Sequence, residues 1–421
     1  MVNAQKWKKW TIGELISRTK TTIQTGPFGT VLSASEFVDY GIPIISVREI
    51  REGFIRITAE TPCITDGTYS RLRKYALSEK DIVFARKGSV ERSALIPIGL
   101  ERYFLGSDGI RIRFDQNIVS PDLMLYLFQS PSTKQFLIQS SYGTTMAGLN
   151  EKILCALEFY LPETVDEQKR IAKVLTDIDH LLALTEKLIA KKKAIKQGVM
   201  QELLTGKHRL PGFSGEWETF VFGDLFDFIS NNAFTRAQLS VSGKVKNIHY
   251  GDILTKFGTY ISADSNEIPY IKKEIDLSRF AEKCYLQSGD VVIADTAEDE
   301  TVGKALEVIN VECPVLAGQH TLLCRPKVRF AVKFLGYYLN AACYHDQLLP
   351  FIVGTKVSSI SKASIAQTKL IVPKYEGQRA ISCILSDMDD EIAELEQKLA
   401  KYRQVKQGMM QQLLAGKVRL V

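Results

Sequence analysis

The sequence predicts an α+β protein built from two tandem globular domains, each followed by one long helix. Three observations support this: an internal repeat, strands that precede helices in each copy, and a long heptad pattern that ends each copy. Residues 168–210 align without a gap with residues 378–420, and 20 of these 43 positions are identical. The offset of 210 residues is half of the 421-residue chain, so the repeat unit is half of the molecule.

Short β-type runs come first in each globular copy, and a helical apolar pattern follows them. The predicted strands lie at residues 42–47, 81–85 and 110–114 in the first copy and at 290–294 and 320–325 in the second, and the helices at 121–130 and 332–341. A regular βαβ protein would alternate the two kinds of element. The observed order therefore favours α+β domains.

Each globular copy is predicted to close in the same way, with a Gly-Thr turn, a short capped helix and a final strand. These features fall at Gly143 and Thr144 or Gly354 and Thr355, at the caps Asn150 and Ser361, and at the strand ends Pro162 and Pro373. The stretches between the landmarks, roughly residues 46–105 and 250–318, match poorly. We therefore expect a shared frame around a diverged middle.

The clearest pattern is an apolar stripe that follows a seven-residue repeat along each long helix. At about 1.5 Å per residue, a helix of about 38 residues is roughly 57 Å long. Gly206 and Gly416 are expected to end the helices, because glycine adopts the left-handed capping conformation. Since such a stripe cannot remain in water, the helices are predicted to pack as an antiparallel coiled coil with pseudo-twofold symmetry. The predicted segments are residues 1–162 and 212–372 for the globular domains and 163–211 and 373–421 for the helices.

The composition is that of an ordinary soluble protein, with 45% hydrophobic and 24% charged residues. No run approaches the roughly 18 to 20 apolar residues of a membrane span, which predicts a cytoplasmic protein without a membrane partner. The seven cysteines contain no C-x-x-C pair and are expected to be buried free thiols. The first globular segment carries a net charge of +4 and the second −2, so only the first is distinctly basic.

No catalytic or metal-binding motif is present in the sequence. It lacks the phosphate-binding pattern G-x-x-x-x-G-K-[ST], the zinc pattern H-E-x-x-H and the nucleophile elbow G-x-S-x-G. The five histidines are isolated from one another. The sequence therefore predicts no catalytic residues and no metal site in this chain.

The end of each globular copy and the end of each helix carry the most specific motifs. Residues 158–171 read EFYLPETVDEQKRI and residues 371–381 read IVPKYEGQRAI, and the helices end in KQGVMQELLTGKHRLPGF and KQGMMQQLLAGKVRL. With the tandem organisation, these segments resemble the specificity (S) subunits of type I restriction-modification systems along essentially the whole chain. One departure is that Glu167 becomes Gly377 in the second copy.

The resemblance implies a non-catalytic subunit that recognises double-stranded DNA. The globular halves would be target recognition domains, each contacting one half of a bipartite asymmetric site, and the helices would dock two methyltransferase subunits. Two restriction subunits would complete the assembly, with AdoMet, ATP and Mg²⁺ bound by the partners. A rigid spacer longer than one DNA turn, about 34–36 Å, would fix the gap between half-sites. The alternatives are a coiled-coil scaffold or adaptor that binds proteins through its globular ends, and an enzyme with an unrecognised site.

Basic residues are the candidate DNA contacts, because lysine and arginine bind phosphates and arginine can also contact guanine edges. In the first domain the candidates gather in the diverged middle: Arg48, Arg71, Arg73, Lys74, Arg86, Lys87 and Arg92. In the second domain they are Lys256, Lys272, Lys273, Lys304 and Lys356. Residues 295–300 of the second domain read DTAEDE, an acidic loop that either accepts from base amino groups or is simply solvated.

A second set of candidates serves helix packing or partner docking. It comprises Leu182, Ile189, Gly198, Leu203, Ile392, Leu399, Gly408 and Leu413. If the helices cross near Thr185 and Leu395, Gly198 is opposite Ser382 and Gly408 opposite Ala172, so that small residues meet and allow close approach. Partner docking at these glycines is the rival hypothesis. Lys191, Lys192 and Lys193 either approach DNA phosphates or form a solvated helix face.

Overall fold

The computed structural model describes residues 7–29, 31–99, 101–141, 148–354 and 356–420. The chain folds as two compact units: residues 1–185 with 398–421, and residues 186–397. Each unit therefore contains one globular domain and parts of both long helices, instead of one domain and one whole helix. The predicted turn residues Gly143, Thr144 and Thr355 lie outside the described residues.

The first half of the chain contains eleven strands and six helices among its described residues. In order they are β1 (Trp7–Thr11), α1 (Ile12–Arg18), β2 (Thr22–Thr25), β3 (Phe37–Val38), β4 (Ile42–Ile45), β5 (Cys63–Ile64), α2 (Asp66–Arg71), β6 (Ala76–Leu77), β7 (Ile82–Ala85), β8 (Ser93–Leu95), β9 (Tyr103–Leu105), β10 (Gly109–Arg113), α3 (Pro121–Phe128), α4 (Pro131–Ser141), α5 (Glu151–Cys155), β11 (Glu158–Pro162) and α6 (Val165–Leu203). The long helix α6 has 39 residues.

The second half repeats this plan with changes in the middle. Its elements are β12 (Glu218–Val221), α7 (Phe222–Leu225), β13 (Phe226–Ile229), β14 (Leu239–Ser240), β15 (Lys246–Ile248), α8 (Tyr250–Thr255), β16 (Tyr260–Ser262), β17 (Tyr270–Ile271), β18 (Val291–Ala294), β19 (Thr296–Ala297), β20 (Ala305–Ile309), β21 (Val315–Ala317), β22 (Thr321–Pro326), α9 (Phe334–Leu339), α10 (Ala342–His345), β23 (Ser358–Ser359), α11 (Lys362–Ala366), β24 (Lys369–Val372) and α12 (Tyr375–Leu413). The long helix α12 also has 39 residues.

Each globular domain contains two larger sheets and a closing ribbon, and the second domain has in addition the two-stranded sheet β19-β23. The first domain has sheets ordered β2-β10-β7-β8 and β3-β5-β4-β9-β6, and the second has β13-β22-β18-β20-β16 and β14-β17-β15-β21. The first sheet of the first domain is antiparallel, and the other three larger sheets each include one parallel pair. The ribbons β1-β11 and β12-β24 join the start of each domain antiparallel to its end. The prediction of tandem α+β domains is therefore confirmed, as are the helix caps Asn150 and Ser361.

An arginine pairs with a buried aspartate in the same way in both domains. Arg113 contacts both carboxylate oxygens of Asp81 at 2.7 Å, and Arg325 contacts those of Asp290 at 2.9 and 2.7 Å. Both aspartates are almost fully buried. In each domain the aspartate lies just before one central strand and the arginine lies in the neighbouring strand. Both copies of the repeat have kept this pair.

The two long helices run antiparallel within each unit. In the first unit Leu413 shares a core with Ile171 and Leu175. In the second, Leu203 shares a core with Ile381 and Leu385. Of the predicted packing residues, Ile189, Leu203, Ile392, Leu399 and Leu413 are buried and Leu182 is half-buried.

The helix glycines divide into two kinds. Gly206 and Gly416 have φ of +69° and +64°, as predicted for capping glycines, and a Cβ there would meet the Trp217 or Trp7 ring at 3.3 or 3.2 Å. Gly198 and Gly408 are exposed, and a Cβ on either would meet no atom within 4 Å. The prediction that these two allow close helix approach is therefore wrong, because no neighbouring helix surface lies against them.

A buried glutamate takes the place of a missing cap at helix α9. The helix begins after Lys333, whose side chain makes no capping bond. Glu307 on β20, 2% exposed, instead accepts from the backbone amides of Lys333 and Gly336 at 2.6 and 2.8 Å. Burial raises the pKa of Glu307 to about 7, since the two amides only partly replace its lost hydration.

We predict opposite effects for alanine at the two kinds of glycine. Gly198→Ala should raise the free energy of unfolding by about 1 kcal/mol, because glycine inside a helix is penalised relative to alanine and the site has room. Gly206→Ala should lower it by about 1–2 kcal/mol, because its backbone is left-handed. Urea unfolding of both variants checks this, and a destabilised Gly198→Ala protein would contradict the open-face geometry.

The second unit should become less stable as pH rises, because the buried Glu307 carboxyl holds its proton more tightly than it does in the unfolded chain. Between about pH 4.5 and 7 the folded carboxyl holds a proton that the unfolded chain releases, so stability is lost across that window, by up to about 3 kcal/mol. Glu307→Gln should lack this part of the pH dependence. Unfolding at pH 5 and pH 8, with exposed Glu298→Gln as control, tests the difference, and equal slopes for wild type and Glu307→Gln would refute it.

Candidate nucleic-acid interface

One corner of the first domain combines basic, aromatic and acidic side chains. Strand β7 ends at Ala85, which faces Gly109 at the start of β10. The next residue, Arg86, donates its backbone amide to the carbonyl of Asp108 at 2.8 Å and accepts from the amide of Leu149 at 2.8 Å. These three segments fix the backbone of what we call the first corner.

The side chains of the first corner surround an open cavity of about 770 Å³. Phe28, on the loop after β2, is 56% exposed. The guanidinium carbon of Arg86 lies 5.0 Å from the centre of its ring. Lys87 pairs with Asp108 at 3.0 Å, and both groups remain partly exposed. The corner therefore offers cationic donors beside an apolar surface, which suits a nucleic acid.

The second domain builds the same corner with different residues. Strand β18 ends at Ala294, which faces Thr321 at the start of β22. Asp295 then donates its amide to the carbonyl of His320 at 3.2 Å and accepts from the amide of Ile360 at 2.9 Å. This second corner has the backbone hydrogen bonds of the first, so Asp295 stands where Arg86 does and His320 where Asp108 does.

The second corner is polar and lacks the lysine and arginine of the first. The Thr296 hydroxyl donates to the Asp295 carboxylate at 2.8 Å, and that carboxylate lies 3.7 Å from the exposed His320 ring. His320 has φ of +55°, a backbone conformation that residues with side chains rarely adopt. The Tyr250 ring meets the His320 ring edge to face at 5.3 Å. Of the predicted acidic loop, Glu298, Asp299 and Glu300 are exposed and Asp295 is half-buried.

The basic residues predicted in the first domain fall into separate groups. Arg86 and Lys87 line the first corner, and Arg92 is half-buried after the following turn. Arg71 belongs to α2 and is paired with Glu36. The other three, Arg48, Arg73 and Lys74, are exposed. Only Arg86 and Lys87 are thus brought together around a cavity.

Among the basic residues predicted in the second domain, Lys304 does not fit its expected role. Its ammonium donates to the carbonyls of Leu254 and Phe257 at 3.3 and 3.0 Å, and burial lowers its pKa. A half-buried ammonium that already has two backbone partners is poorly available to a DNA phosphate. The other four are exposed: Lys256, Lys272, Lys273 and Lys356.

A three-residue junction between domain and helices was missed by the sequence reasoning. In the second unit the Tyr337 hydroxyl donates to Asp389 at 2.6 Å, and Asp389 also pairs with Lys196. In the first unit Tyr126 donates to Asp179 at 2.8 Å, which pairs with Lys406 at 2.6 Å. These residues are Tyr126/Tyr337, Asp179/Asp389 and Lys196/Lys406, and each type is identical in both copies, which is the signal that could have found them.

The tyrosine-aspartate-lysine junction ties each domain to both helices. Burial, reinforced by the neighbouring carboxylates, raises the pKa of Tyr126 and of Tyr337, so both hydroxyls stay protonated and donate. Two lysines in the second half of α6 also form ion pairs with α12: Lys192 pairs with Glu391 and Lys193 with Glu396. These ion pairs to the other helix differ from both alternatives considered for Lys192 and Lys193, contact with DNA phosphates and a simply solvated helix face.

Beyond the two corners, the described residues contain free thiols but no metal cluster and no helix that could span a membrane. Across these ranges no group of three or more His, Cys, Asp or Glu residues is placed to hold a metal ion. None of the helices found there has the length and apolar character needed to cross a bilayer. The seven cysteines are free thiols, of which Cys63, Cys284 and Cys324 are buried and Cys383 is exposed, contrary to the expectation that all are buried.

Comparison with known proteins finds relatives along nearly the whole chain. A family model described as the type I restriction modification DNA specificity domain matches residues 5–194 and again residues 214–404. The type I restriction enzyme MjaVIII specificity subunit of Methanocaldococcus jannaschii is 25% identical over 421 aligned positions, covering 93% of each chain.

Two crystal structures share the fold. The S subunit of a type I restriction-modification system from M. genitalium superposes with a TM-score of 0.56 at 15% identity, over 98% of this chain and 97% of that one. The corresponding subunit from Thermoanaerobacter tengcongensis gives 0.51 at 18% identity, over 98% of both. At these identities the likeness concerns the fold alone.

Removing the lysine of the junction should cost far more stability than removing a neighbouring helix lysine. Lys196→Ala removes the ion-pair partner of the partly buried Asp389 and leaves it the hydrogen bond from the Tyr337 hydroxyl, so we expect a loss of about 1–3 kcal/mol. Lys192→Ala breaks a more exposed pair and should cost less than about 1 kcal/mol. Denaturant unfolding of the two variants measures the contrast, and equal losses would show that the junction is an ordinary surface contact.

Proposed function

The chain belongs to the type I restriction-modification DNA specificity family, and we propose that it recognises a bipartite, asymmetric site on double-stranded DNA. The observation that carries this is the pair of corners, which share one backbone frame and carry different side chains. Two identical domains would select two identical half-sites. Two domains with a common frame and different exposed chemistry suit two different half-sites on one duplex.

We further propose that the late half of each long helix docks one methyltransferase subunit. The burial pattern of residues 191–200 on α6 is repeated at residues 401–410 on α12. In both, a Gln-Gly pair is exposed on an open face, Gln197 and Gly198 or Gln407 and Gly408. Equivalent surfaces can each take one copy of the same partner. Partner docking is thus the surviving role for these two glycines.

In this proposal the helices also set the distance between half-sites. The two domains would be related by a pseudo-twofold axis through an antiparallel helix pair. A helix of 39 residues is about 58 Å long, which exceeds the roughly 34–36 Å of one DNA turn. Each domain would then contact the duplex at its own half-site, with a fixed number of base pairs between them.

The chemistry would belong to the partners of this chain. AdoMet would be bound by the two methyltransferase subunits, and ATP and Mg²⁺ by two restriction subunits when these are present. The chain itself would be non-catalytic, since its sequence carries none of the phosphate-binding, zinc or nucleophile motifs that such reactions use. Its contribution to the complex would be recognition and assembly.

The proposal predicts sequence-selective DNA binding by the complex of this chain with its methyltransferase partner. Selection from a randomised duplex library should enrich two short conserved blocks separated by a constant gap. Enrichment of one block, or of none, would overturn the bipartite proposal. A complex that binds other proteins but enriches no sequence from the DNA library would favour the adaptor alternative.

Charge reversal separates phosphate contacts from other roles within the same assay. Lys272→Glu should weaken binding equally for all sequences and reduce the slope of log affinity against log salt by about 1. Lys173→Glu, on the exposed surface of α6 outside both domains, is the matched control and should leave the slope unchanged. An unchanged slope for Lys272→Glu would remove this residue from the DNA contacts.

A further inference from the structure

We propose that the two corners are the base-reading sites, with the first selecting guanine through Arg86 and the second selecting adenine or cytosine through Asp295. This inference rests on the proposed function in DNA recognition and assigns the residues that distinguish the half-sites. It is carried by three observations: the equivalence of the two frames, the reversal of charge within them, and the partial exposure of Arg86 and Asp295.

The two corners differ in charge, whereas a structural ion pair close to them does not change. An arginine pairs with a buried aspartate in both copies, as Arg113 with Asp81 and Arg325 with Asp290. At the corners, with the same backbone bonds, a cation is replaced by an anion at Arg86 and Asp295. Fold stability does not require this reversal, because these side chains are only partly buried. A difference in what each corner contacts accounts for it.

The first corner presents arginine in a held orientation. The exposed Phe28 ring lies against the Arg86 guanidinium, with 5.0 Å between the guanidinium carbon and the ring centre. Its neighbour Lys87 is paired with Asp108, whereas Arg86 has no carboxylate partner among the residues that the structure describes and lines the cavity with its guanidinium. A guanidinium donates two parallel hydrogen bonds to O6 and N7 of guanine, and its positioning before binding favours that contact.

The second corner presents acceptors instead. The Asp295 carboxylate has the Thr296 hydroxyl as a donor and the exposed His320 ring beside it. A carboxylate oxygen accepts from the exocyclic amino group of cytosine or adenine, and it repels guanine O6 and N7. His320 keeps a left-handed backbone at this position, and its ring is braced by Tyr250. The corner is therefore ordered around a carboxylate that keeps about a quarter of its side-chain surface exposed.

Library selection with matched variants of the two corners tests the proposal. Arg86→Gln should reduce the preference for guanine at one position of one half-site by about 10-fold to 100-fold and leave the other half-site unchanged. Asp295→Asn should change one position of the other half-site only, so each variant is the control of its partner. Phe28→Ala should weaken the same guanine preference as Arg86→Gln, because it removes the surface that orients the guanidinium.

The outcomes separate this proposal from the one it rests on. If wild type selects a bipartite site and the variants select the same site, the corners do not read bases and the inference fails while the proposed function stands. An affinity loss that is uniform across sequences, with a reduced salt slope, would assign Arg86 to a phosphate and overturn base reading. If wild type selects no sequence, both proposals fall. Unfolding midpoints equal to wild type establish that the variants are folded.

Discussion

Neither long helix can bury its apolar stripe alone, and this constraint organises the molecule. Each helix contributes its early half to one compact unit and its late half to the other. Within each unit the late half of one helix joins the core formed by the early half of the other, as Leu413 joins Ile171 and Leu203 joins Ile381. The tyrosine-aspartate-lysine junctions then fix each helix pair against its domain. The strands that carry the two corners pack in the same cores as these helices, so the position of each corner depends on the helix packing.

The periodic parts of the fold could be predicted from the sequence because they are encoded locally. The heptad stripe indicated both long helices, the capping glycines Gly206 and Gly416 marked their ends, and Asn150 and Ser361 marked the starts of short helices. The register in which the two helices pair could not be predicted from this pattern. A heptad repeat specifies which face is apolar, whereas the register depends on contacts such as Lys196 with Asp389, which are charged and distant in sequence.

The candidate site was less predictable, and the reason is geometric. Arg86 and Asp295 are 209 residues apart, whereas Asp108 and His320 are 212 apart, so the ungapped repeat does not align the corners. The strand motifs at residues 81–85 and 290–294 place Arg86 opposite Asp295 in the sequence. The match of Asp108 with His320 is visible only in strand register and backbone hydrogen bonds. Residue type alone also misjudged Lys304, whose charge suggested a surface contact although its ammonium binds two carbonyls inside the domain. The composition showed that the first domain is basic, whereas the three-dimensional structure was needed to show which of its lysine and arginine side chains lie together.

The pairing of Glu167 with Arg419 has a consequence for the order of events during synthesis. The carboxylate at the start of the first long helix binds an arginine 252 residues later, and Leu413 completes the same core. A ribosome adding about 5–20 residues per second takes roughly 10–40 s to pass from residue 185 to residue 398. During that interval an apolar surface of the first unit remains exposed, because the part of α12 that covers it has not been made. The second unit can complete its core as soon as residue 397 emerges. The domain that is made first is therefore the one that is finished last.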